Sequence, residues 1–222
     1  MPLILSQKIN ESTFLGVWKI TETSEDLKLQ VELDKNDEKY FAEFRNEFRK
    51  KHWLSYRLIL HELLKARTIK IIYNEYGKPF IPSFKGSFSV SHSGDFAAAV
   101  VSYKFAVGID IEKIRDRIEK VSERFLNKEE LDHAGNSNRR EKLHVLWGTK
   151  ESLYKLYGKP DVDFQKDIRI EPFDYFCTGE GSCLATMNTP DGLGFYSVFY
   201  RKIEDYMLVW AVRHSQFADR YF

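Results

Sequence analysis

A chain of 222 residues, 43% hydrophobic and 30% charged, has ample material for a buried core, arranged as one large domain or two small ones. Its 34 basic and 33 acidic residues nearly cancel to a net charge of +1, which argues against a broad nucleic-acid or membrane footprint. Two cysteines, Cys177 and Cys183, match neither a disulfide framework nor the paired spacing of a zinc site, so they read as ordinary thiols in a reducing cytoplasm.

Residues 1–10 lack the basic n-region of a secretory leader, and no stretch approaches the ~18 consecutive apolar residues of a membrane span. Residues 14–21 (FLGVWKIT) read as a strand. The next segment is ambiguous: Leu27, Leu29, Val31 and Leu33 alternate as in a strand, whereas Ser24 followed by Glu25 and Asp26 resembles a helix start. From Lys39 the pattern is helical, with Phe41, Phe44 and Phe48 on one face and Trp53, Tyr56, Leu60, Leu63 and Leu64 on another, all expected in the core. Interleaved Arg45, Arg49, Lys50, Lys51 and Arg57 form either a solvated face or a phosphate-binding edge. A short strand at residues 69–73 leads into the turn NEYGKPF at residues 74–80, set by its Gly and Pro and carrying Lys78. Residues 88–93 alternate Phe88, Val90 and His92 against Ser89, Ser91 and Ser93, a strand delivering a polar cluster to its end. Gly94 turns the chain into the apolar strand 96–103.

Residues 104–106 join this hairpin to residues 107–112 (VGIDIE), and the boundary between an N-terminal lobe, residues 1–104, and a C-terminal lobe, residues 105–222, is placed there. Residues 118–125 read as a helix, and Asn127 with Glu130 as the cap of the next. Residues 135–140 (GNSNRR) are polar. Leu143, Leu146, Leu153 and Tyr157 give a long helix its apolar stripe. Residues 167–171, 182–187, 195–201 and 206–213 read as strands separated by turns such as TPDG.

Chemistry concentrates in two of these stretches. Side chains alternate faces along a strand, so Asp110 and Glu112 project from the same side. In residues 147–155 (WGTKESLYK), Glu151 and Lys155 stand at i and i+4 on one helix face. Such a Glu–Lys pair alone is a common surface stabiliser, but two acids on one face of an apolar strand have no structural purpose unless that face meets water or a cation. Were the helix to pack across the strand's end, Asp110, Glu112 and Glu151 would converge beside Lys155. Three oxygen donors next to an amine suit a hard cation that is shared with phosphate oxygens.

VGIDIE, Phe125 and Glu130 in RFLNKEEL, and WGTKESLYK, preceded in order by YGKPF and FSVSHSGD, resemble the signature of the 4'-phosphopantetheinyl transferases, specifically the two-lobed surfactin-synthetase type. The resemblance spans roughly Trp53 to Lys155. It implies an α+β fold, a pseudo-dimer of two similar lobes, each a small, mostly antiparallel sheet packed with helices, with the site between them. It implies transfer of 4'-phosphopantetheine from coenzyme A to a serine of an apo acyl or peptidyl carrier protein, by a cytoplasmic monomer acting on neither nucleic acid nor membrane.

By the same resemblance Asp110, Glu112 and Glu151 would hold Mg²⁺, or Mn²⁺, and Glu130 would support the metal or merely cap its helix. Asp110, Glu151 and Lys155 would be catalytic, with Lys155 stabilising the departing phosphate and Glu151 taking the serine proton. Arg57, Lys78, Pro79, Ser91, His92, Lys150 and Lys155 would contact coenzyme A, and residues 135–140 would help receive the carrier. Gly158–Lys159–Pro160 departs from the family pattern. Two other readings remain open on the residues alone: a metal-dependent nuclease built on the same acids, and a coenzyme A-binding protein without turnover.

Overall fold

The computed structural model describes residues 2–176 and 178–214, so the expectation for Cys177 lies outside the described residues. The fold is α+β, and it divides between Lys104 and Phe105 into two compact units.

In the first unit, strands β1 (Leu3–Asn10) and β2 (Thr13–Lys19) form a hairpin. Three helices follow: α1 (Ser24–Lys28), α2 (Lys35–Ala42) and α3 (Glu47–Leu64). The short pair β3 (Ile72–Tyr73) and β4 (Pro79–Phe80) brackets the NEYGKPF turn, and β5 (Ser87–Ser93) and β6 (Phe96–Ser102) close the unit. The antiparallel sheet runs β1-β2-β6-β5, and α3 lays Trp53, Leu60 and Leu63 into a core shared with Ala97, Ala99 and Val101.

One open reading is decided here and one expectation changes. Residues 24–28 are helical: Thr23 and Asp26 form a reciprocal capping box, and Leu29, which a strand would have buried, is exposed. The helical run expected from Lys39 is two helices, because Asn46 accepts from the Arg49 amide and starts α3 afresh. The break turns Phe48 out into solvent, while Phe41 and Phe44 stay in the core with Trp53.

The second unit begins with β7 (Val107–Lys113), followed by α4 (Arg117–Val121) and a 3-10 turn at Ser122–Arg124. Helices α5 (Lys128–Ala134) and α6 (Arg139–Tyr157) come next, then β8 (Ile168–Ile170), β9 (Glu180–Thr189), β10 (Gly192–Ile203) and β11 (Tyr206–Arg213). Its antiparallel sheet runs β7-β11-β10-β9-β8. Inward Tyr196, Val198 and Tyr200 on β10 meet Leu143, Leu146 and Leu153 of α6 in one core. Cys183 is buried in this core, and burial pushes its thiol up to about 12, so it is an unreactive group. No helix among the described residues is long and apolar enough to cross a membrane.

Candidate active site

Helix α6 lies unusually close to the sheet, and small residues are the reason. Gly108, Asp110 and Glu112 alternate onto one face of β7, in register with Ala211, Val209 and Met207 of β11. A Cβ on Gly108 would stand 1.9 Å from the Ser152 carbonyl oxygen, and one on Gly148 would stand 2.6 Å from a methyl of Val209. Between these two points the buried Ser152 hydroxyl donates to the Val209 carbonyl at 3.1 Å. With Ser152 seated over Gly108, its neighbours Glu151 and Lys155 fall beside Asp110.

Lys155 Nζ donates to Asp110 Oδ1 at 2.6 Å, with the Asp110 side chain only 5% exposed. Burial pushes the Glu151 carboxyl up to about 7; the nearby Asp110 charge raises it further, Lys155 opposes this, and Glu112 adds to the rise. The helix and strand thus bring Asp110, Glu112, Glu151 and Lys155 into one electrostatic neighbourhood. Among the described residues no group of three or more His, Cys, Asp or Glu side chains is gathered tightly enough to hold a metal ion as it stands. The donor set nevertheless suits a hard cation: burial first, and then the Asp110 and Glu112 charges, disfavour the ionised Glu151 carboxylate, and a positive ion would offset both effects.

Lys150 departs from its expected place at a phosphate. Its ammonium is fully buried and its three donors have three acceptors: Glu130 Oε2 at 2.7 Å, the Phe164 carbonyl at 2.6 Å and the Ile168 carbonyl at 3.1 Å. Glu130 completes the knot, accepting from the Asn127 amide at 3.1 Å and the Ile170 amide at 3.1 Å. Its capping role is thus present, and its other contacts tie α5, α6 and β8 together. Lys159 pairs with Asp191 at 3.1 Å on the surface. The 135–140 segment is helical only at its last two residues, since α6 begins at Arg139, whose guanidinium donates back to the Gly135 carbonyl at 2.9 Å.

In the first unit, Arg57 also departs from expectation. It is 2% exposed, stacks its guanidinium 3.5 Å from the Trp53 ring centre, and donates to Tyr56 Oη at 2.7 Å and Asp37 Oδ1 at 3.0 Å. A phosphate at Arg57 would have to displace Asp37. Lys78 lies in the β3–β4 turn, where Asn74 Oδ1 accepts from the amides of Tyr76 at 3.0 Å and Lys78 at 2.8 Å. Burial lowers the Lys78 ammonium from its ordinary range, which favours an anionic partner there. Pro79 opens β4 beside it. On β5, Ser91 is buried and His92 exposed. Sequence reasoning missed His52 on α3, whose ring stacks on His92 at 4.2 Å between centroids. The only signal in the chain is a lone His among basic residues.

Residues 106–199 match the model of the 4'-phosphopantetheinyl transferase superfamily. The chain is 34% identical over 119 residues to the 4'-phosphopantetheinyl transferase gsp of Aneurinibacillus migulanus, covering 47% of this chain and 49% of that protein. It is 29% identical over 150 residues to a 4'-phosphopantetheinyl transferase of Bacillus subtilis, covering 65% and 63%. To the 4'-phosphopantetheinyl transferase Sfp of Bacillus subtilis strain 168 it is 34% identical over 100 residues, covering 43% and 44%. The chain thus spans about half to three-fifths of the length of the curated relatives it matches. The second unit, with its acids and Lys155, is therefore similar to this superfamily, the surfactin type included.

Proposed function

We propose that this chain transfers 4'-phosphopantetheine from coenzyme A to a serine of an apo acyl or peptidyl carrier protein. The observation that carries the reading is the seat of α6 on β7, which gathers Glu151, Asp110, Glu112 and Lys155 within a unit similar to the transferase superfamily. In the reaction the serine oxygen bonds to the β-phosphorus of coenzyme A and the bond from that phosphorus to the bridging oxygen breaks. Adenosine 3',5'-bisphosphate leaves with the electron pair. By the same resemblance, Glu151 is the group to accept the serine hydroxyl proton. Lys155 holds the Asp110 carboxylate in place and offers its ammonium to the phosphate oxygen that gains charge. Asp110, Glu112 and Glu151 are the residues that would hold Mg²⁺ or Mn²⁺, and a bound ion would supply positive charge opposite the pyrophosphate. Lys78, Pro79, Ser91 and His92 are assigned to coenzyme A, Lys78 on the strength of its desolvated ammonium.

The proposal includes a cytoplasmic monomer as the working form. Intact-mass spectrometry of an apo carrier protein incubated with this protein, coenzyme A and Mg²⁺ tests the reading. A gain of one phosphopantetheine that disappears with EDTA is expected. No gain with carriers of fatty-acid, polyketide and peptide type, together with tight retention of coenzyme A, would leave a binding protein in its place.

A further inference from the structure

His52 and His92 come from distant parts of the first unit, yet their rings are nearly parallel, 11° apart with centroids 4.2 Å apart. His52 lies in the second turn of α3, and His92 is the penultimate residue of β5. The His52 ring is also tethered: its Nε2 is 2.7 Å from the Gly94 carbonyl oxygen. A carbonyl can only accept, so that nitrogen carries the proton and the tautomer of His52 is set. The stack and the tether act on residues 92 and 94 of a single hairpin, one on the side chain and one on the backbone. Together they remove the freedom that an exposed imidazole at a strand end would otherwise have.

We propose that His52 is a positioning residue for anion recognition, clamping the His92 imidazole so that it meets the phosphate monoester of coenzyme A. The inference rests on the coenzyme A reading above. A monoester carries close to two negative charges near neutrality, more than either phosphate of the internal pyrophosphate, and is the group best matched to a fixed imidazole donor. A fixed ring binds without the entropy loss that a free one suffers on capture. His52 itself, with Nε2 committed to Gly94, acts through His92.

Isothermal titration of the full chain with coenzyme A and with 3'-dephospho-coenzyme A separates the outcomes. The wild type is expected to prefer coenzyme A. His52→Ala is expected to weaken coenzyme A binding about tenfold, the scale of one well-placed hydrogen bond to a charged group, with dephospho-coenzyme A nearly unaffected. His52→Phe, which keeps the stack, should recover most of the preference, and adding His52→Ala to His92→Ala should cost nothing further. Unchanged coenzyme A affinity in folded His52→Ala overturns the proposal, as do equal losses for the two ligands, which mark a general structural role. A wild type that binds neither ligand removes the coenzyme A reading itself and this inference with it.

Discussion

Lys150 Nζ and the Glu130 carboxylate meet at 2.7 Å with their side chains 0% and 3% exposed, one residue along the helix from Glu151. A buried pair of this kind is costly to break, because the surviving Glu130 carboxylate keeps two backbone amides but loses its counter-charge away from water. Lys150→Met strands the Glu130 carboxylate and is expected to lower unfolding stability by about 3–5 kcal/mol. Urea denaturation measures this. Wild-type stability combined with weakened coenzyme A binding would instead return Lys150 to the phosphate role that its motif suggests.

Gly108→Ala tests the seat of α6. The added methyl would stand 1.9 Å from the Ser152 carbonyl oxygen, a backbone atom that can move only with its helix. Overpacking of this kind costs about 1–3 kcal/mol. It would also shift Glu151 and Lys155 away from Asp110, so transfer should fall by more than the loss of folded protein explains. Thermal melts and initial rates on the same sample decide the point; two wild-type values would show that the helix does not depend on glycine here.

Much of this arrangement could be read from local pattern. The Glu151–Lys155 spacing and the alternation of Asp110 with Glu112 follow from helix and strand periods, and β11 falls on residues 206–213 as its apolar run suggests. The first unit misled where one period fitted two structures: Phe41, Phe44 and Phe48 share a helical face on paper, and only the Asn46 cap separates them. What periodicity cannot report is which distant groups meet. Arg57 looks like a free cation until Asp37 and Trp53 close over it, and Lys150 looks like a solvated lysine until Glu130 and two carbonyls take all its protons. His52 and His92 have no relation in the chain and become partners only through the packing of α3 beside the end of β5.

The acids proposed to hold the metal and Lys155 should separate by kinetics. Asp110→Ala and Glu151→Ala are expected to abolish carrier modification while far-ultraviolet circular dichroism stays that of the wild type. Lys155→Ala removes the ammonium 2.6 Å from Asp110 and should lower kcat by roughly 10²–10³, as loss of one charge-stabilising donor does, with coenzyme A affinity little changed. A change confined to coenzyme A affinity would rule out a part for Lys155 in stabilising the leaving group.

The raised Glu151 carboxyl makes stability depend on pH in a defined direction. Its ordinary value is 4.5 and its folded value is about 7. Well below 4.5 the group is protonated whether the chain is folded or not. Between the two values the unfolded chain has released a proton that the folded one retains, so stability falls as pH rises, and above 7 the full penalty is present. Glu151→Gln cannot ionise and escapes this fall. In EDTA, its stability relative to wild type should therefore climb by up to roughly 3 kcal/mol across that window and level off above it. A cation at Asp110, Glu112 and Glu151 would offset the same penalty, so Mg²⁺ should stabilise the wild type more at pH 8 than at pH 5.5, and Glu151→Gln less at either. A difference between variant and wild type that stays flat from pH 4 to pH 8 would mean that Glu151 is fully solvated and that the acids do not converge.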